Sequence, residues 1–108
     1  MNKKSTKLNK TYYFLYPGNI NTKTGGYIYA KNILQRAKAL NFNLIAIQLS
    51  ENYPFQKKND ISILKNILGK LPNDSVLIFD GLVFETIDKV IGDLKKYKII
   101  ALIHHPLY

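Results

Sequence analysis

Three short polar clusters in this 108-residue chain carry the residue types that could do chemistry, and each stands beside an apolar run. The first is Gly25-Gly26, which ends the loop Pro17-Gly18-Asn19-Ile20-Asn21-Thr22-Lys23-Thr24. Paired glycines just before a helix let a ligand approach the backbone, where free N–H groups and the helix dipole favour an anion. The loop is neither GxGxxG nor a P-loop, since no Lys-Ser/Thr follows the glycines, and dinucleotide and NTPase sites of those types are disfavoured. The second cluster, Asp80-Gly81, offers a carboxylate able to accept a hydrogen bond from a sugar or ribose hydroxyl. The third is His104-His105-Pro106. A neutral imidazole there could donate to a substrate hydroxyl or a phosphate oxygen, and neighbouring strand residues point to opposite faces, so at most one of the two faces a given crevice. Each cluster also has a purely structural reading. The glycine pair and Asp80-Gly81 serve equally as tight turns, and the histidines as a solvated or structural pair at a strand end.

These clusters need elements to position them. Tyr12 to Tyr16, Leu44 to Leu49, Val76 to Phe79 and Ile99 to Ile103 are short, nearly continuous apolar runs rich in branched and aromatic residues. Continuous runs, unlike alternating ones, indicate strands buried on both faces, as in a parallel sheet. Between them lie three stripes of helical period: Ala30, Ile33, Leu34, Ala37 and Leu40; Ile61, Leu64, Ile67, Leu68 and Leu71; and Phe84, Ile87, Val90, Ile91 and Leu94. The first helix is expected to begin at about Tyr27. Asn59 or Asp60 can cap the second, and Pro72-Asn73-Asp74 ends it with a turn. The order β-α-β-α-β-α-β with right-handed crossovers predicts an α/β fold, a Rossmann-like parallel sheet. With strand order 3-2-1-4, the order reverses between the first and fourth strands, where the glycine loop would meet the histidines at the ligand-binding edge. Residues 1–10, polar and basic without periodicity, read as a mobile tail.

Composition closes several classes. Cysteine is absent, which excludes disulfide frameworks, thiolate zinc sites and cysteine nucleophiles. Two histidines without nearby acidic ligands do not make a tetrahedral metal site, and neither a Ser-His-Asp arrangement nor paired carboxylates can be read. No apolar run approaches the roughly 20 residues of a membrane span, and the first residues lead into no signal-type core, so a cytoplasmic protein is expected. The net charge is +9, and Lys3, Lys4, Lys7, Lys10, Lys23, Lys31, Arg36 and Lys38 all precede the first acid, Glu51. Such a field attracts phosphates, whether of nucleic acid, lipid headgroups or a small molecule. Tyrosines interleave with the basic residues, but several sit in the first strand, where burial accounts for them, and this weighs against nucleic acid.

In order and spacing, Tyr13-Phe14-Leu15-Tyr16-Pro17-Gly18, Thr24-Gly25-Gly26-Tyr27-Ile28-Tyr29, Asp80-Gly81-Leu82 and Ala101-Leu102-Ile103-His104-His105-Pro106-Leu107 resemble the N-terminal domain of family 4 glycosyltransferases, which have the GT-B fold. The resemblance covers nearly all of residues 11–108 and implies a retaining transferase that moves a sugar from a nucleotide-sugar to an acceptor, without metal or other cofactor. It implies that this domain binds the acceptor, that Gly25-Gly26 lies near the donor diphosphate and that His104 faces the reacting sugar, with His105 the second candidate. The nucleotide-sugar-binding C-terminal domain is not among these residues, so the chain is expected to be a truncated or split N-terminal part, inactive alone. In an enzyme of membrane-linked glycans, the basic front would bind an anionic inner membrane face. The alternative from another class is a stand-alone α/β binding module for an anionic ligand or nucleic acid.

Overall fold

A computed structural model describes residues 10–18 and 25–103, with residues 25–29 described by their backbone. Along the chain run β1 (Tyr12–Pro17), α1 (Gly25–Ala39), β2 (Leu44–Leu49), α2 (Lys58–Leu68), β3 (Val76–Asp80), a single turn α3 (Gly81–Phe84), a 3-10 helix (Ile87–Leu94) and β4 (Lys98–Leu102). All pairings are parallel, with Tyr12 level with Leu44 of β2 and Val76 of β3, and Val76 level with Lys98 of β4. The α/β class and the parallel Rossmann-like sheet are as the sequence predicts.

The strand order is β2-β1-β3-β4, which corrects the expected 3-2-1-4. Burial explains the difference. Phe14 and Leu15 of β1 and Leu77 and Phe79 of β3 are completely inaccessible, whereas Ala46 and Gln48 of β2 and Lys98 and Ile100 of β4 reach solvent. The inner pair therefore consists of the strands apolar on both faces, and β2 and β4 form the edges. Continuous apolar runs gave no means of telling edge from centre, because β2 and β4 are as apolar in sequence as the strands they flank.

On one face, Tyr13, Leu15, Leu49, Leu77 and Phe79 pack beneath Leu64 and Leu68 of α2, Val83 of α3 and Val90 and Leu94 of the 3-10 helix. On the other, Phe14, Tyr16, Ile78 and Leu102 meet Ala30, Ile33 and Leu34 of α1. Covering both faces is what a parallel sheet requires. Tyr97 locks the first layer: its hydroxyl donates to the carbonyls of Leu68 and Leu71, thereby closing the end of α2.

Three further expectations change in detail. Helix α1 starts at Gly25 rather than Tyr27, and Leu40, placed in its apolar stripe by sequence, lies beyond its end and is 72% exposed. The N-cap position of α2 is Lys57, not Asn59 or Asp60; Asp60 sits three residues on and accepts the Lys57 N–H at 2.8 Å, the acidic half of a capping box. The third stripe does not form one α-helix. It breaks into α3 and the 3-10 helix, itself kinked at Val90 (φ −127°, ψ 19°), where a β-branched residue and the nearby Gly92 have weak helix preference. The kink buries Val90 and Leu94 but leaves Ile91 exposed. The turn at Pro72-Asn73-Asp74 forms as expected, with Asp74 at φ 67° and the Ser75 hydroxyl donating to the Pro72 carbonyl at 2.6 Å.

Candidate functional site at the carboxyl edge of the sheet

In a parallel sheet every strand ends on the same edge, so Gly18, Ser50, Asp80 and Ile103 come together there from distant parts of the sequence. With order β2-β1-β3-β4, the connection after β1 runs to β2 on one side and that after β3 to β4 on the other, and the switch point lies between β1 and β3. This moves the crevice from the expected β1/β4 position, because β3 stands between those two strands. The strands that flank it are β1 and β3.

On the β1 side the chain turns out at Gly18, whose φ is 71°. Glycine adopts that left-handed conformation with no Cβ to clash, and the Gly18 N–H donates to the Leu49 carbonyl at 2.9 Å, tying the ends of β1 and β2 together. The backbone then enters α1 through Gly25 and Gly26, which are its first two residues rather than a loop before it. The first N–H groups of a helix have no intrahelical acceptor, and the first turn of α1 holds no acidic residue. In the other two helices a carboxylate does that work: Asp60 serves α2 and Asp80 serves α3.

On the β3 side, Asp80 is 2% exposed. Its carboxylate accepts the Leu82 N–H at 2.9 Å as the N-cap of α3, so in this fold it holds the turn that leaves the strand. Gly81 is needed for a close approach, since a Cβ there would lie 3.0 Å from the Leu102 carbonyl oxygen. The end of β3 is thereby pressed onto the end of β4. His104 and His105 follow β4 and fall outside the described residues.

A polar network follows β2. Asn52 donates through its side chain to the Asp60 carboxylate at 2.9 Å and through its backbone to the Ser50 hydroxyl, also at 2.9 Å. The Lys57 N–H, followed by Asn52, holds the Asp60 carboxyl below the usual carboxylate range. Beside it Tyr53 is buried, and its hydroxyl has no hydrogen-bond partner among the described residues. Burial, then the Asp60 charge, pushes its phenol up, so it stays neutral. The spacing of Lys57 and Asp60 is that of a capping box, but without Ser or Thr at the first position that signal is weak.

Among the described residues no three His, Asp or Glu side chains converge as metal ligands, and no helix is long and apolar enough to cross a membrane. Fold and edge together define a Rossmann-like α/β protein whose strand ends and the start of α1 share one edge of the sheet. The chain matches no known protein family, and neither curated proteins nor solved structures contain a match.

Proposed function

We propose that the chain is the acceptor-side domain of a retaining, nucleotide-sugar-dependent glycosyltransferase of the GT-B type. The observation that carries this reading is that the segments bearing the family 4 resemblance, at Gly18, Gly25-Gly26 and Asp80-Gly81, lie at one carboxyl edge on either side of the β1/β3 switch point. An edge of this kind is where open α/β sheets bind ligands. The start of α1, without an acid of its own in the first turn, suits the diphosphate of a donor. Asp80, expected from sequence as an acceptor for a sugar hydroxyl, is 2% exposed and caps α3, so in this reading it fixes the end of β3 beside the site. His104 is the candidate to face the reacting sugar, with His105 beside it in sequence. Donor selection in this reading belongs to a second, nucleotide-binding domain, so these residues alone bind an acceptor but do not turn over.

The test is incubation of the purified chain with nucleotide-sugars and glycan acceptors, following both acceptor binding and nucleotide release. Acceptor binding without release is expected. Sustained sugar transfer by these 108 residues would contradict the division of labour, and failure to bind any glycan acceptor would contradict the acceptor role.

A further inference from the structure

Among the described residues the most exposed large apolar side chain, Phe55 at 84%, stands on the connection from β2 to α2, and that connection is firmly held. Two residues earlier Tyr53, 5% exposed, belongs to the core layer of Leu15, Leu49 and Leu64. The chain then folds back, the Phe55 N–H donating to the Asn52 carbonyl at 2.7 Å. Asn52 is itself tied on both sides, its backbone N–H to the Ser50 hydroxyl and its side chain to the Asp60 carboxylate, which also takes the Lys57 N–H. The loop is thus braced by β2 before it and by α2 after it. Ordering it costs conformational entropy, yet the fold recovers almost none of the apolar area of the Phe55 ring.

Position and neighbours bear on what covers that ring. The loop leaves β2 where the Gly18 N–H meets the Leu49 carbonyl, so it rises from the carboxyl edge one strand, about 5 Å, from the end of β1. The side chains around it in the loop are polar: Glu51 is exposed, and Asn52 and Gln56 are half-buried. A flat apolar ring with a carboxylate and amides beside it suits a pyranose, whose C–H face lies on the ring while its hydroxyls donate to the carboxylate and exchange hydrogen bonds with the amides. A nucleobase would also stack on the ring, with Lys57 and Lys58 following for its phosphate. Glu51 and the amides favour the neutral polyol, since a carboxylate accepts from hydroxyls and repels a phosphate.

We infer that the β2–α2 loop is a sugar subsite, with Phe55 as the platform for a pyranose ring of the acceptor and Glu51 and Gln56 as partners of its hydroxyls. The inference rests on the acceptor-side reading above and gives it a residue that touches the sugar.

Methyl glucopyranoside, galactopyranoside and mannopyranoside, titrated into the chain and followed by NMR, test it, with adenosine monophosphate as the control. The C–H protons of a bound pyranoside should move upfield in the ring current of Phe55. Phe55→Ala should weaken binding by about five- to tenfold, and Phe55→Trp should restore it. Because the ring is exposed, Phe55→Ala should keep the urea midpoint of the parent. Leu40→Ala, at a comparably exposed side chain at the other end of the strands, should bind like the parent. Pyranoside binding that Phe55→Ala leaves unchanged would overturn the subsite while the acceptor reading stands. Absence of binding by all three pyranosides would overturn the subsite too, and the acceptor reading falls with it only if longer glycans also fail to bind. Tighter, Phe55-dependent binding of adenosine monophosphate than of any pyranoside would overturn it in favour of a nucleobase.

Discussion

Removing the Asp60 carboxylate should unfasten the start of α2, and its cost can be worked from the bonds it makes. It accepts the Lys57 N–H at 2.8 Å and the Asn52 side-chain N–H at 2.9 Å. A hydrogen bond to a charged group is worth about 1.5–3 kcal/mol net, but the Lys57 N–H at a helix start can be rehydrated once its partner is gone. We therefore expect Asp60→Ala to cost about 2–3 kcal/mol and Asp60→Asn, which keeps an acceptor oxygen but not the charge, about 1 kcal/mol. In urea denaturation followed by circular dichroism, with a slope of about 1 kcal/mol/M for a chain of this size, the alanine variant should lose about 2 M in midpoint. The pH dependence separates charge from shape. Because the folded carboxyl is held below its usual range by the Lys57 N–H and then by Asn52, its contribution is full above the unfolded value, about 4. That contribution is lost as pH falls through the lower folded value. The gap between parent and Asp60→Asn should therefore narrow from about pH 7 to about pH 3. A gap of the same size at both pH values would refute the assignment of Asp60 as an ionised cap.

Other side chains give further tests by the same assay. Tyr97→Phe removes the hydroxyl that donates to the Leu68 and Leu71 carbonyls and should cost about 1–2 kcal/mol by leaving them unpaired at the end of α2. Tyr53→Phe should be neutral or slightly stabilising, because the buried hydroxyl it deletes has no partner among the described residues; a loss above about 1 kcal/mol would show that it has one. Gly81→Ala forces a Cβ to 3.0 Å from the Leu102 carbonyl oxygen and should cost about 1–2 kcal/mol, loosening the end of β4 in amide exchange.

The elements were legible in sequence because their signals are local. Branched and aromatic runs marked β1 to β4 to within a residue or so, and the stripe Ile61, Leu64, Ile67, Leu68 and Leu71 marked α2, although Leu71 lies beyond its end. What a local pattern cannot carry is which strands become neighbours. Val76 to Phe79 and Ile99 to Ile103 look alike in sequence, yet the first is buried against β1 and the second forms an edge. The strand order puts β3, which ends in Asp80, between β1 and β4, where the sequence led us to expect β1 beside β4. Leu40 fitted the helical period, but Asn41 adopts a left-handed conformation and turns the chain away before Leu40 can reach the core. Asn59 or Asp60 was expected to cap α2, but the cap position is Lys57, and the service of Asp60 to Lys57 and Asn52 depends on a loop whose course no periodicity records. Asp80 carried two readings, turn and ligand acceptor, and its bond to the Leu82 N–H realises the first.

The proposal that the carboxyl edge at the β1/β3 switch point is the sugar-binding side is tested most directly by mapping amide NMR shifts while nucleotide-sugars and glycan acceptors are titrated into the chain. The account predicts that the backbone amides of Gly18, Gly25, Gly26 and Gly81 shift together. It also predicts that the amides of Lys70, Lys95 and Lys98 on the opposite edge stay still. Shifts confined to that opposite edge, or no shifts with any donor or acceptor, would contradict it.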